Sequence, residues 1–284
     1  MTSGGNLKPM TIDLNIGDQL TTISCGHIVA ELIKFIAYQR LQIPYTYQWL
    51  KQVINKKKES PEKKDSFQSE RHFRVASNAL ENLDFILKSL LKEIDGASIP
   101  SEVCVALGAT PITCREMYRF LLPSMCHKPQ CHSTNIANDQ KIQRSVFKTL
   151  VTSESLSKVF FDTISPTNMY IYLKKKVSSN QDVVCGDSFV YISGCRIPRS
   201  AKIVVLDFST PNKESLSCCN DLQVFGDVIS EDLDKLKLQE SAIHNFDEIE
   251  SNDSATWFQS SYVMKGFKDC IVNGISVTNA WLES

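Results

Sequence analysis

The sequence predicts an α+β fold in which helices from the first half of the chain pack on an antiparallel β-sheet. Three observations support this prediction. Apolar residues recur at helical spacing over long stretches, most clearly between residues 67 and 94. They alternate at strand spacing later in the chain, as in residues 168–173. The helices precede most of the strands, and this order is typical of α+β domains.

Three helices are predicted in the first hundred residues. Their spans are Thr22–Arg40, Tyr45–Val53 and Phe67–Ile94. The first helix has one apolar face, which contains Ile28, Leu32 and Ile36. The longest helix has an inward stripe that repeats at steps of three and four: Ala76, Leu80, Leu83, Leu87, Leu90 and Ile94. Phe85 lies outside that stripe, and Gln39 continues the apolar face of the first helix at its end.

A strand is predicted at Val103–Leu107, followed by a helix over Ile112–Leu122. Thr110 and Pro111 suit the cap and first turn of that helix. In Asn168–Leu173, apolar residues and tyrosines alternate between the two faces of a strand. Further strands are predicted at Val183–Val184, Phe189–Ile192 and Ile203–Phe208.

The stretch Gln140–Val159 has a helical pattern with an unusual side face. Its inward stripe contains Ile142, Val146 and Leu150. Phe147 and Val151 lie beside that stripe, next to the cations Arg144 and Lys148. Phe147 therefore either widens the core stripe or belongs to a partner-binding surface, where an exposed aromatic flanked by cations is typical. Periodicity alone favours the core interpretation.

Domain organisation follows from the polar segments. Residues 1–21 are expected to be a flexible N-terminus with one short strand, and residues 22–284 a single domain. The charged run 55–66 predicts a solvated loop because acids and bases are interleaved. Residues 210–254 predict a mobile acidic insertion, since positions 227–253 hold nine acids and two lysines, a net charge of −7.

Composition narrows the possible partners. The 31 basic and 32 acidic residues give a net charge of −1, so no overall positive field favours nucleic acid. No apolar run reaches the roughly 20 residues that a membrane-spanning helix needs. The N-terminus lacks the pattern of a signal peptide, so we expect an intracellular protein in which most of the ten cysteines are reduced.

The sequence offers little chemistry, and we expect neither an enzyme nor a cofactor. Glycine-rich nucleotide motifs, H-E-x-x-H and G-x-S-x-G do not occur. Two alternatives remain. The run CHKPQCH (126–132) contains four potential zinc ligands, although adjacent side chains seldom converge on one metal. Cys25 beside His27 suggests a cysteine hydrolase, but no acid to orient the histidine is evident.

Several segments resemble the comet family, whose members bind the spindle-checkpoint HORMA protein Mad-two (Mad2). They are Cys25–Val53, Ser69–Leu122, Arg196–Phe208 and Trp257–Asp269. The last contains the most specific motif, W-F-Q-x-x-x-x-x-K-G-F, and together the segments extend over residues 22–269. The run KIQRSVFKTLVTSES also resembles the third helix of HORMA proteins.

The resemblance implies a HORMA-like fold, with three main helices on an antiparallel sheet and a C-terminal safety belt. It also implies an adapter without an active site, which binds the closed conformer of Mad-two. The adapter presents Mad-two to an AAA+ remodelling ATPase, and this disassembles the mitotic checkpoint complex and silences the checkpoint. The implied location is the nucleus and cytoplasm, with spindle and kinetochores in mitosis. Neither nucleic acid nor membrane is an implied partner.

The resemblance also implies roles for individual residues. The family's Mad-two contacts fall on the end of its first helix and on its third helix, where they match Gln39 and Phe147. Arg144, Lys148 and Val151 are the expected surrounding contacts.

The family's ATPase contact precedes the R-I-P motif and corresponds to Tyr191 and Ile192. The chain departs there from the family's basic, proline-containing pattern.

A rival interpretation is a HORMA protein that clamps a peptide of another protein. It predicts an empty groove between the sheet and residues 257–269.

Overall fold

The structure, a computed structural model, describes residues 9–14, 16, 20–59, 66–96, 98–123, 125, 139–176, 185–195, 197–208 and 255–283. These residues form an α+β domain with six α-helices and a mixed sheet. The helices are α1 (Thr22–Gln39), α2 (Tyr47–Glu59), α3 (Phe67–Ile94), α4 (Asp139–Thr152), α5 (Glu154–Phe161) and α6 (Val277–Glu283). None of these helices has the length and apolarity needed to cross a bilayer.

Eight strands form the main sheet, and two more form a small hairpin. The strands are β1 (Met10–Asp13), β2 (Glu102–Gly108), β3 (Cys114–Leu121), β4 (Asn168–Lys176), β5 (Phe189–Ile192), β6 (Lys202–Asp207), β7 (Ala255–Ser260), β8 (Met264–Lys265), β9 (Ile271–Val272) and β10 (Ile275–Ser276). The order across the main sheet is β1-β6-β3-β2-β4-β7-β5, and β8 also pairs with β4. Strands β9 and β10 form the hairpin.

The predicted antiparallel sheet is only partly correct. Strand β6 runs parallel to both of its neighbours, β1 and β3, whereas the remaining pairs are antiparallel. The reason lies in the connection from β5 to β6. Ile192, Cys195 and Ile197 pack on the face of the sheet opposite the main core. The chain therefore crosses that face from one edge to the other and enters beside β3 in the parallel direction.

The sheet separates two apolar layers, as the alternation in Asn168–Leu173 predicts. Met169, Ile171 and Leu173 face the main core, which also contains the buried residues of the helices. Tyr170 and Tyr172 face the second, smaller layer. This arrangement agrees with the HORMA-like architecture that the sequence resemblance implies, in which helices cover one face of a sheet.

Helices α1 and α3 confirm their sequence predictions. The side chains of Thr21 and Ser66 cap their first turns by accepting backbone hydrogen bonds from Ser24 (3.1 Å) and Ser69 (3.2 Å). All six predicted stripe residues of α3 are buried. At its other end, α3 is joined to the start of α1, because Thr22 donates a hydrogen bond to Asp95 (2.6 Å).

The predicted helix at Ile112–Leu122 is wrong. The threonine cap is real, but it closes only a 3₁₀ turn, Pro111–Thr113, in which Thr110 and Thr113 bond each other reciprocally. Strand β3 follows directly, antiparallel to β2 and parallel to β6. Pairing on both sides determines this structure, because tertiary context overrides a local start signal.

Two other boundaries differ from prediction. Helix α2 extends to Glu59, so the first five residues of the charged run 55–66 are helical. The stretch Gln140–Val159 forms two helices, because Ser153 leaves helical geometry and caps α5 by accepting a hydrogen bond from Leu156 (3.2 Å). The strand at 183–184 and the acidic insertion at 210–254 lie outside the described residues.

A polar cluster fastens residues 269–283, called here the C-terminal clasp, to α3 and to Tyr45, which lies just before α2. The buried hydroxyl of Thr278 donates to Asp269 (2.6 Å) and lies 2.9 Å from Nε2 of His72. Tyr45 donates to the other oxygen of Asp269 (2.9 Å). The indole of Trp281 donates to Ser69 (2.9 Å). The clasp therefore depends on a histidine that lies inside the protein.

Acid should weaken this attachment. Burial lowers the pKa of His72, and the nearby charge of Asp269 opposes that shift only in part. The unfolded chain then takes up the proton first as the pH falls through the ordinary histidine pKa of about 6.5. We expect the free energy of unfolding, measured by urea denaturation, to be lower at pH 5.5 than at pH 7.5.

The variant His72→Gln tests whether His72 causes this loss. It should show a smaller difference between the two pH values, and the control His27→Gln, at an exposed site on α1, should keep the wild-type difference. An unchanged pH dependence in His72→Gln would contradict the assignment.

Candidate partner-binding surface

A buried ion pair joins the end of α1 to the sheet. Arg40 and Glu116 are only 1% and 2% exposed. The guanidinium donates two parallel hydrogen bonds to the carboxylate, of 2.8 Å from Nε and 2.7 Å from Nη2. The hydroxyl of Tyr118 donates a third to the same carboxylate (2.7 Å). Both charges are therefore compensated, as buried ions must be.

The same arginine also holds the end of α5. Its Nη1 donates to the backbone oxygen of Phe160 (3.2 Å), and its Nη2 donates to that of Asp162 (2.6 Å). Carbonyls at a helix C-terminus lack partners within the helix, and a cation satisfies them well. Arg40 thus fixes the relative position of α1, β3 and α5.

An aromatic cluster lies next to this ion pair. Phe35 on α1 contacts Phe147 on α4 edge to face, with ring centroids 5.6 Å apart. It also contacts Phe160 on α5, at 6.0 Å, and the guanidinium of Arg40 lies 5.6 Å from the Phe160 ring. All three rings are partly buried against the main core. The cluster therefore joins three helices along one edge of the domain.

The burial of Phe147 is intermediate between that expected for a core residue and that expected for a residue of a partner-binding surface. Its ring packs on Phe35 but is only half-buried. The inward residues of α4, which are Ile142, Val146 and Leu150, are 2% exposed or less. Phe147 therefore packs on the core and leaves part of its side chain exposed.

The other predicted contacts lie on α4 and at the end of α1. Gln39 is exposed at the last position of α1, the helix that carries Phe35. Arg144 and Lys148 are exposed on α4, one turn apart. Val151, one turn after Phe147, is 69% exposed. The structure thus places all five predicted residues on α4 and the adjoining end of α1.

Sequence reasoning missed other apolar residues at this edge. Tyr38 and Leu41 are exposed at the end of α1, and Phe161 is exposed at the end of α5. The pattern of α5 contained the signal for Phe161. Leu156 and Val159 face the core, and position 161 lies about 140° around the helix from Leu156. We name the exposed residues of α1, α4 and α5 at this edge the α1–α4–α5 surface.

Tyr191 and Ile192 lie elsewhere in the structure. Both are in β5, the edge strand of the sheet, where Tyr191 is 65% exposed and contacts Phe258 of β7 (6.3 Å between centroids). Ile192 packs partly buried on the second apolar layer. The segment before β5 is held by Glu93, which accepts hydrogen bonds from Lys175 and the backbone of Gly186, both 2.7 Å. These residues lie on a different part of the fold from the helices of the α1–α4–α5 surface.

Neither chemical alternative gains support from the described residues. Cys25 is buried inside α1, and desolvation raises the pKa of its thiol to about 12. His27 is exposed, so the two side chains do not meet as a nucleophile and a base. No group of histidine, cysteine and acidic side chains in the described parts of the chain is arranged to hold a metal. The run 126–132 lies outside those parts.

These observations define a class of protein. Rigid helices present an exposed apolar and basic surface, which is typical of a domain that binds another protein. A sequence profile of the p31comet family matches residues 12–172, which are 161 of the 284 residues. The description of this family is Mad1 and Cdc20-bound-Mad2 binding. The chain therefore belongs to the p31comet family. A comparison with curated proteins finds no match.

The family match confirms the resemblance seen in the sequence. It begins in β1 and ends within β4, so it includes the whole α1–α4–α5 surface. It does not reach Tyr191 or the C-terminal clasp.

Removal of one partner of the Arg40–Glu116 pair should destabilise the fold. Glu116→Gln leaves a buried guanidinium without its counter-charge, and we expect the free energy of unfolding to fall by about 3–5 kcal/mol. Urea denaturation measures this loss. The double variant Arg40→Met with Glu116→Gln removes the uncompensated charge and should recover part of it. A double variant less stable than Glu116→Gln would contradict this account of the pair.

Proposed function

We propose that this protein is a non-enzymatic adapter that binds the closed conformer of Mad2 through the α1–α4–α5 surface. It presents Mad2 to an AAA+ remodelling ATPase, which disassembles the mitotic checkpoint complex and silences the spindle checkpoint. The proposal includes a location in the nucleus and cytoplasm, with spindle and kinetochores in mitosis. Its main support is the family match together with the partly exposed ring of Phe147 on a rigid helix.

Phe147 has the properties of an interface anchor. Its ring packs on that of Phe35, so little side-chain freedom remains to be lost on binding. Buried aromatic anchors dominate most protein interfaces, and truncation of one typically costs about 2 kcal/mol or more. Gln39, at the end of the adjacent helix, can add a directional hydrogen bond through its amide. Arg144 and Lys148 supply positive charge at the rim, where charges mainly guide association.

The C-terminal segment favours the adapter over the peptide-clamping alternative. Strand β7 pairs directly with β4, from Tyr172↔Gln259 to Lys176↔Ala255. Its other edge pairs with β5, from Phe189↔Ser260 to Ile192↔Trp257. The edge of β4 that an added peptide would need is thus filled by the chain itself. We infer that residues 255–283 act as the belt of a HORMA-like fold whose ligand position is self-occupied.

The double variant Gln39→Ala with Phe147→Ala tests the Mad2 site. We expect at least a tenfold loss of affinity, since the pair supplies the central aromatic and its neighbouring hydrogen bond (about 1.4 kcal/mol per factor of ten). Calorimetric titration of the full chain with closed Mad2 carrying a Cdc20 peptide measures the affinity, and open Mad2 serves as the conformer control. Phe85→Ala, a half-exposed aromatic on α3, should bind like wild type.

A second variant distinguishes loss of binding from loss of folding. Phe147→Ala removes a ring from the Phe35 cluster and lowers stability, so Val151→Asp should be measured beside it. Val151 is largely exposed, and a carboxylate there should leave the fold intact while disrupting an apolar contact. Wild-type affinity in both the double variant and Val151→Asp would overturn the site assignment.

The ATPase contact is proposed at the edge strand β5. Tyr191 supplies an exposed aromatic at that edge, and the ion pair of Glu93 with Lys175 holds the preceding segment. Burial alone raises the pKa of Glu93, but the hydrogen bonds from Lys175 and Gly186 outweigh it and lower the pKa overall. The segment should therefore stay anchored at neutral pH.

Tyr191→Ala should leave Mad2 binding unchanged and slow the ATPase-driven conversion of Mad2, because the two sites are separate. A discontinuous assay with purified ATPase, Mad2 and the full chain would report both quantities. Normal conversion with Tyr191→Ala would show that β5 is not the contact.

A further inference from the structure

We propose that Phe161 is a second anchor of the Mad2-binding surface. This inference rests on the proposed function and extends it to a residue outside the predicted site. The side chain of Phe161 is 86% exposed, more than that of any other large hydrophobic residue in the described parts of the chain. It follows Phe160, whose ring belongs to the same aromatic cluster as Phe147. The exposed ring is therefore adjacent to the proposed interface.

The backbone on both sides of Phe161 is fixed. Arg40 binds the carbonyl oxygen of Phe160 (3.2 Å) and that of Asp162 (2.6 Å). The carboxylate of Asp162 is also paired with Lys202, at the start of β6. These contacts use a buried arginine, whose position is set by Glu116. The hydrogen bonds to both neighbours restrict the backbone at Phe161. Less backbone freedom is therefore lost when the exposed ring binds a partner, and this lowers the entropic cost of binding.

The pattern of α5 assigns the ring to the outside. Leu156 and Val159 are buried, and Phe160 packs on Phe35, so the inward side of this short helix is already filled. A phenylalanine at the next position contributes nothing to that core. Tyr38, Leu41 and Val151 are exposed on the neighbouring elements. Leu41 lines one groove with Thr163 and Ile164, just beyond Phe161, so exposed apolar side chains of two elements lie close together there, as is typical of binding sites.

The shape around Phe161 indicates what the partner must offer. Residues 163–164, just beyond it, separate two open grooves. One has a volume of about 380 Å³ and is lined in part by Leu41 and Pro44, and the other has about 470 Å³ and is lined in part by Ile112 and Lys202. A partner that is complementary to this part of the surface has a pocket for the Phe161 ring and a ridge on each side that fits one of the two grooves. Burial of an aromatic ring in such a pocket is typical of interface anchors.

The surrounding charge indicates the chemistry of the pocket rim. Arg144, Lys148 and Lys158 are exposed on α4 and α5. The exposed acids near them are Glu154 and Asp162, and the second is paired with Lys202. Positive rims pair with negative ones across interfaces and guide association. We therefore infer an apolar pocket with an acidic rim on Mad2. Mad2 is the occupant favoured here because the ring continues the surface that carries Gln39 and Phe147.

The test compares three variants of the full chain in one titration series against closed Mad2 carrying a Cdc20 peptide. Phe161→Ala should bind about tenfold more weakly or worse, as expected for an aromatic anchor. Phe67→Ala is the matched control, because Phe67 is 76% exposed at the first position of α3, outside this surface. Phe147→Ala reports on the proposed function itself. Thermal unfolding should be the same for wild type, Phe161→Ala and Phe67→Ala, since both rings are largely exposed.

The possible outcomes separate the two proposals. Weaker binding by Phe161→Ala, with wild-type binding by Phe67→Ala, supports the second anchor. Wild-type binding by Phe161→Ala, with weaker binding by Phe147→Ala, overturns the second anchor and leaves the proposed function in place. Wild-type binding by both Phe161→Ala and Phe147→Ala overturns the second anchor and the placement of the Mad2 site on the α1–α4–α5 surface, whereas no binding by the wild-type chain overturns the proposed function.

Discussion

The bidentate pair between Arg40 and Glu116 is the interaction on which the arrangement of this edge depends. It joins residues 76 positions apart and brings the end of a helix, a central strand and a second helix to one point. Burial of two charges carries a large desolvation cost, so its main contribution is not net stability. Its contribution is geometric, because the planar guanidinium satisfies a carboxylate and two carbonyls in one fixed arrangement. The exposed rings of the α1–α4–α5 surface take their positions from that arrangement.

In the main sheet, two strands pair with neighbours of this chain along both of their edges. Strand β6 fills the gap between β1 and β3, and β7 fills the gap between β4 and β5. An open strand edge invites another chain to pair with it. Strands β6 and β7 are therefore closed to such pairing, while β1 and β5 are the outer strands of the main sheet. Recognition through rigid helix faces is consistent with membership of a family described by Mad2 binding.

Much of the fold could be predicted because local periodicity and burial agree in it. Helix α3 is amphipathic over 28 residues, and β4 alternates cleanly between two apolar layers. Strand β3 could not be predicted in the same way, since a true capping signal at Thr110 preceded it and its pairing partners lie far along the chain. The residues around Phe147 could be located from helical position. The contact of Phe147 with Phe35, and the fixing of Phe161 by Arg40, depend on tertiary packing that no local pattern contains.

The C-terminal clasp has a consequence for how the chain folds. The hydrogen bond from Trp281 to Ser69 closes a separation of 212 residues, and that from Tyr45 to Asp269 closes one of 224. Contacts between such distant residues carry the entropic cost of ordering a long loop before any stabilisation is gained. During synthesis, Tyr45 and α3 emerge long before residues 269–283. Their polar side chains therefore have no hydrogen-bond partner in the clasp until those residues have been made. We therefore expect His72 and Ser69 to remain hydrated until late in folding, and the clasp to close after the helices have already packed on the sheet.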